Sequence, residues 1–171
     1  LIGVSQTGTG KTAAYLLPII SRISDGEFSG NSVKCLIMVP TRELAQQIDQ
    51  ALEGFSYYVS LSSLSIYGGN DGIRFDQEKK GLAMGADIII ATPGRLISHM
   101  NIEKIDFSDV AFFVLDEADR MLDMGFSEDI RKIAQNMPKK RQTILFSATM
   151  PGKIKKLAGE ILNDPISIEL A

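Results

Sequence analysis

Ser5 to Thr12 read SQTGTGKT, and these residue types in this order suit the holding of phosphate. Gly8 and Gly10 allow backbone dihedrals closed to other residues, so successive N–H groups can turn toward one anion. A helix starting near Lys11 adds its positive end. Lys11 supplies a full charge for β and γ phosphates, and Thr12 offers a hydroxyl to Mg²⁺. The regular pattern G-x-x-x-x-G-K-[ST] wants a glycine where Ser5 stands. Taken alone, the stretch is therefore also compatible with a glycine-rich turn opening an ordinary helix.

VLDEAD, Val114 to Asp119, supplies the acidic partner such a loop requires. Asp116 is placed to hold Mg²⁺ through water, and Glu117 to orient and deprotonate an attacking water. Adjacent acids also suit a solvated first turn of a helix. Here, however, an apolar strand delivers them to the edge where the glycine-rich loop lies. SAT, Ser147 to Thr149, follows another apolar strand. Its two hydroxyls can bond a neighbouring carboxylate, most plausibly Asp119, and relay the state of the phosphates. An N-cap ahead of Pro151 accounts for SAT equally well.

These groups need a frame. LIGVS, VKCLIMVP, SLSIYGG, DIIIATP, VAFFVLDE and QTILFSAT are apolar almost throughout, which suits parallel strands buried on both faces. Between them lie amphipathic segments at helical spacing, such as Arg42 to Tyr57 and Glu128 to Met137. Strand alternating with helix predicts right-handed crossovers and a doubly wound three-layer α/β domain, a mostly parallel sheet flanked by helices. Ser24 to Ser32, SDGEFSGNS, reads as a surface loop, and PISIEL as an added edge strand. The polar motifs fall just beyond the carboxyl ends of strands, where this architecture binds ligands.

A chain of 171 residues with 44% hydrophobic and 23% charged residues suits one core. The net charge of -3 gives no global field to attract polyanions, so nucleic acid would need specific sites. Cys35, the single cysteine, sits in the apolar run CLIMV and reads as a small buried hydrophobe, which excludes a disulfide framework. The first residues lack the basic flank of a signal peptide, and no apolar stretch approaches membrane-spanning length, so a cytoplasmic location with no membrane partner is expected. His99 reads as a helix-end surface residue, without a second His, Cys or close acid to make a metal site. Lys139-Lys140-Arg141 and Lys153, Lys155 and Lys156 read as solvated turns. Met121 and Met124 are expected to pack a core or a domain interface.

With these residues in hand, the sequence resembles the first RecA-like, P-loop domain of the DEAD-box RNA helicases over essentially the whole chain. SQTGTGKT matches motif I, PTRELA motif Ia, YGG the glycine doublet, TPGR motif Ib, DEAD motif II and SAT motif III, in the family's order. LDEADRMLDMGF, continued by RQTILFSATMP, looks most like the bacterial RhlE-type branch. The family tolerates Ala or Ser at the position of Ser5. The resemblance implies ATP and Mg²⁺ as cofactors, with Ser5, Gln6, Thr7, Gly8, Thr9, Gly10, Lys11 and Thr12 around the nucleotide. Thr12 and Asp116 would hold the metal, Lys11, Asp116 and Glu117 would serve catalysis, and Asp119 would bond to Ser147 and Thr149.

The resemblance also implies how RNA is held. In ATPGR, Thr92 would cap a helix whose first residue is Pro93, Gly94 would let RNA approach the exposed N–H groups, and Arg95 would add a charge for phosphate. In PTRELA, Pro40 leads into Thr41 as cap and Arg42 as cation, while Gly68 and Gly69 allow close backbone approach in a third loop. Each of these loops is equally a capped helix start or a tight turn when read without the family. Contacts to phosphate and sugar fix a strand without reading its sequence, so sequence-independent RNA binding is expected. DEAD-box proteins carry an adenine-recognising Q motif before motif I and a second RecA-like domain bearing arginine fingers. The 171 residues hold neither, and the expectation is a monomeric fragment of a larger helicase that hydrolyses ATP hardly at all by itself. An ATP-gated RNA clamp without productive unwinding is the alternative reading.

Overall fold

The computed structural model describes residues 1–6, 8–69 and 72–169. Strand and helix alternate along the chain: β1 (Ile2–Val4), α1 (Lys11–Ser24), β2 (Cys35–Met38), α2 (Arg42–Phe55), β3 (Ser63–Ile66), α3 (Gly72–Met84) and β4 (Ile88–Ala91). Then follow α4 (Pro93–Ile102), β5 (Phe112–Leu115), α5 (Ala118–Asp123), α6 (Ser127–Gln135), β6 (Gln142–Ser147), α7 (Gly152–Ile161) and β7 (Ser167–Glu169). The strands form one sheet in the order β3-β4-β2-β5-β6-β1-β7, and every strand pairing is parallel. The predicted three-layer α/β architecture is the one observed.

Alternation along each strand divides the core in two. Cys35 and Ile37 of β2, with Ile88, Ile90, Phe112 and Val114, face α1 and α2 through Leu16, Ile19, Ile48 and Leu52. Leu36 and Met38, with Ile89, Phe113 and Leu115, face the other layer through Leu96, Met121, Ile130, Ile133, Ile154 and Leu157. Both faces are covered, which is why the central strands read as continuous apolar runs. Leu36 is fully buried, and its truncation to Ala would cost about 2–5 kcal/mol.

The edges differ from the centre. The sequence pattern predicts β3 to be buried on both faces, but it borders only β4, and Ser63, Leu64 and Ser65 are partly or fully exposed. Its serines mark the half-wet edge. β7, read from PISIEL, does add an edge strand, paired to β1 through Ile2 and Ser167.

Parallel strands send all their carboxyl ends to one rim of the sheet, so the loops after β1, β2, β3, β4, β5 and β6 converge there. Among the described residues no helix is long and apolar enough to cross a membrane. Cys35 is fully buried, and burial pushes its thiol well above the ordinary value.

Candidate nucleotide and nucleic-acid site

The loop after β1 is shaped by two left-handed glycines, Gly8 and Gly10, both at φ 82°, with Gly10 capping α1. A side chain at either position would be strained, although the space beside each is open. Lys11 Nζ donates to the Ser5 carbonyl at 2.8 Å. Thr9 Oγ1 donates to the Gln6 carbonyl at 2.9 Å and lies 3.2 Å from Ser5 Oγ. Ser5 is buried, and its N–H donates to the Ser147 carbonyl at 3.1 Å. The serine in place of glycine is thus part of the loop's own bonding. Thr7, named for the nucleotide, lies outside the described residues.

Asp116 emerges from β5 with 3% exposure. Its backbone N–H donates to the Met38 carbonyl at 3.0 Å, continuing the β2–β5 pairing. Its Oδ2 accepts from the Tyr15 hydroxyl at 3.1 Å, while Oδ1 is buried without a protein partner. Burial raises the carboxyl above its ordinary value, and Tyr15 and the nearby Lys11 charge work against that rise. The same Tyr15 hydroxyl interacts with the Thr12 side chain, and burial, then Asp116, drives the phenol far above its usual range. Lys11, Thr12, Tyr15 and Asp116 therefore form one contiguous group.

An orphaned, buried carboxylate oxygen, whose sister oxygen is bonded by the Tyr15 hydroxyl that also meets the Thr12 side chain, suits a hard cation that takes oxygen ligands. Among the described residues no three His, Cys, Asp or Glu side chains gather to hold a metal by themselves. The donor set fits Mg²⁺ shared with phosphate and water, not a cage made by protein alone.

Glu117 caps α5 in the left-handed region, at φ 54° and ψ 50°. For a residue with a Cβ this costs on the order of 1 kcal/mol or more and concentrates at functional positions. Its Oε2 accepts from Arg120 Nη1 at 3.3 Å, a partner that is mostly solvated. Asp119, two residues on, accepts through Oδ2 from both the backbone N–H and Oγ1 of Thr149, each at 3.1 Å. The expected link between the DEAD and SAT residues is present, but Thr149 alone makes it. Ser147 is fully buried and donates its hydroxyl to the Thr149 carbonyl at 2.7 Å, locking the turn.

The other loops reach the same rim. Thr41 caps α2, its Oγ1 accepting from the Leu44 N–H at 3.3 Å, next to the buried Pro40. Arg42 projects, its side chain 53% exposed and only 3.8 Å from Glu43. Gly68 and Gly69 face open space and are exposed. Thr92 caps α4 by position, with Pro93 in the first turn, but its hydroxyl makes no capping bond. The Thr92 N–H instead donates to the Ile66 carbonyl at 3.0 Å. Gly94 has room for a Cβ at ordinary contact distance from Phe126, so packing does not require the glycine.

Arg95, named for RNA phosphate, turns inward: its side chain is 14% exposed and its Nε donates to Glu78 Oε2 at 2.7 Å. Two expectations are corrected. His99 is no surface residue. It is buried, with Nε2 2.8 Å from the same Glu78 oxygen and its ring stacked on Phe75. Arg141 belongs to the fold and not to a solvated turn, donating to the Pro138 carbonyl at 2.7 Å and to Thr143 Oγ1 at 3.1 Å. Two residues carry no signal in the sequence. Tyr15 hides as one more ring in the apolar stripe of α1, and Glu78 lies 21 residues from His99.

Known proteins resemble this chain in sequence and fold. A family model described as DEAD/DEAH box helicase matches residues 1–157. The ATP-dependent RNA helicase DeaD of Mycobacterium tuberculosis is 43% identical over 98% of this chain and 29% of its own length. The RNA helicase CrhR of Synechocystis sp. is 44% identical over 96% of this chain and 32% of its own. This chain thus spans about a third of the curated relatives it matches. Among solved structures, a DEAD box protein from Methanococcus jannaschii superposes with a TM-score of 0.87 at 36% identity, covering 98% of this chain and 44% of that one. The yeast DEAD-box splicing factor Prp28 does so with a TM-score of 0.89 at 33% identity, over 100% of this chain and 42% of that one.

Proposed function

The chain belongs to the DEAD/DEAH box helicase family, and from that premise we propose that it is the first RecA-like domain of an ATP-dependent RNA helicase, working with a second RecA-like domain of the same polypeptide. The observation that carries the reading is the bare, buried Oδ1 of Asp116. It lies at the sheet rim that also carries a glycine-rich loop and the Thr41, Gly68-Gly69 and Thr92-Gly94 turns. A rim holding a phosphate cradle beside open backbone turns suits two polyanionic ligands at once.

In this reading the backbone N–H groups around Gly8 and Gly10 receive the phosphates, and Lys11 exchanges the Ser5 carbonyl for them. Thr12 and Asp116 would hold Mg²⁺, which when bound neutralises charge on the β and γ oxygens. Glu117 orients water for in-line attack and takes its proton. Asp119 passes any shift of this segment to Thr149, and Ser147 carries it to Ser5 through the backbone bond between them. Arg42 and the glycine turns grip the RNA backbone without reading bases. The run LDEADRMLDMGF supports a finer placement in the RhlE-type branch.

The test is ATP hydrolysis by the protein with and without its second domain. The two-domain form should turn over ATP when RNA is added, and Glu117→Gln should lower that rate by about 10²–10⁴ while nucleotide still binds. The chain by itself should be slower by about 10³–10⁵, the typical worth of an arginine finger. RNA-stimulated turnover by the lone chain, lost in Glu117→Gln, would overturn the division of labour.

A further inference from the structure

A second buried carboxylate lies away from the phosphate loop. Glu78 is 3% exposed and is the one buried residue of α3. Its Oε1 accepts from the Tyr67 N–H at 3.2 Å and from Arg74 Nε at 3.3 Å. Its Oε2 accepts from Arg95 Nε at 2.7 Å and lies 2.8 Å from His99 Nε2. Four partners fill the acceptor sites of an ionised carboxylate. Rings close around them: His99 stacks on Phe75 at 4.0 Å between centroids, Arg95 lies 4.7 Å over the same Phe75 ring, and Arg74 lies 3.8 Å over Tyr67.

The partners come from three pieces of chain. Tyr67 immediately precedes Gly68 and Gly69, Arg74 sits on α3, and Arg95 and His99 sit on α4 behind Thr92 and Gly94. Two of the three open turns at the rim are therefore tied to one carboxylate. Swinging Arg95 outward would leave Glu78 Oε2 without its closest charged donor, and breaking a buried pair is strongly unfavourable. The inward hold on the guanidinium comes from the Nε bond to Glu78 and the Phe75 ring beneath it, while Nη2 is buried without a partner. Arg42, by contrast, is more than half exposed.

We propose that Glu78 is a positioning residue for RNA: it fixes the Gly68-Gly69 turn against the Thr92-Gly94 turn and neutralises Arg95, leaving Arg42 as the cation for the RNA backbone. The inference rests on the RNA-binding reading above. It reassigns Arg95 from a contact to a strut.

The test is the salt dependence of binding to an oligouridine strand, measured on the two-domain protein with a non-hydrolysable ATP analogue. Each cation that neutralises a single-strand phosphate contributes about 0.7 to the slope of log affinity against log salt. Arg42→Met should therefore flatten the slope by about 0.7. Arg95→Met should lower affinity by a similar factor at every salt concentration and leave the slope unchanged. Glu78→Gln, which releases Arg95, should steepen the slope by about 0.7, which a merely structural lesion would not do. If Glu78→Gln does not fold, Arg95→Met decides: a slope flattened as in Arg42→Met overturns the proposal, as does a Glu78→Gln slope equal to wild type. Wild-type protein without salt-dependent RNA affinity overturns the RNA reading itself. Wild-type binding with a flattened Arg42→Met slope upholds that reading, so that any failure then falls on the role of Glu78 alone.

Discussion

Asp116 and Glu78 are each 3% exposed, yet their surroundings are opposed. Glu78 has every acceptor site filled by Tyr67, Arg74, Arg95 and His99. Asp116 has one oxygen bonded by Tyr15 and the other bare. A buried carboxylate with full partners is a fastener, because removing it strands its donors. A buried carboxylate with a bare oxygen destabilises the fold that holds it, and its use lies in what it can bind. Two side chains of equal burial therefore separate into architecture and chemistry by counting bonds.

The largest expected effect is at the fastener. Glu78→Ala would leave Arg95 and the Tyr67 N–H without an acceptor and should destabilise the fold by about 3–5 kcal/mol, read as a lowered urea midpoint. A loss below about 1 kcal/mol, the range of an ordinary surface pair, would erase the contrast. Next comes Asp116→Asn. It should raise the Mg²⁺ concentration needed for half-maximal turnover by about 10–100-fold, as is typical for groups supporting a metal.

The same substitution should affect stability in the opposite direction. Relief of a buried charge should raise stability by about 1 kcal/mol, a gain of roughly 2–4 °C in the midpoint. The pH dependence has a definite sign. Folding raises the Asp116 carboxyl above its ordinary 3.8, so the folded state binds the proton more tightly. Stability is then greatest below 3.8 and falls as pH climbs from there through the folded value. The difference between wild type and Asp116→Asn should show that fall, and a difference that is flat or rises with pH would contradict it. Smallest is Tyr15→Phe, which removes one donor and should cost about 1 kcal/mol. In a double-mutant cycle with Asp116→Asn that cost should shrink, since a neutral side chain accepts a weaker bond.

The candidate ligand rim is legible in the sequence because its signals are local. Glycines at 8 and 10, the acids at 116, 117 and 119, and the threonine caps each sit within a few residues of a strand end. Parallel topology then guarantees their convergence. The inward placement of Arg95 and His99 is illegible for the complementary reason: their partner Glu78 lies on another helix, and α3 carries no apolar stripe to show which side faces inward. β3 misleads because an edge and a central strand differ in what lies beside them, which four residues of SLSI do not encode. Ser147 and Thr149 pair with Asp119 as a group on sequence grounds, but which hydroxyl makes the bond depends on the shape of a turn that the three letters SAT leave open.

Glu117 carries a last consequence. Its left-handed backbone at φ 54° is a conformation that glycine or asparagine enters more readily. Its neighbour Asp116 would be more comfortable as an amide. Selection for stability by itself would thus erode this pair first, toward a better-folded descendant. A lineage that keeps both acids does so against the drift of its own folding energy, and a decayed copy of this domain should betray itself at 116 and 117 before any core position changes.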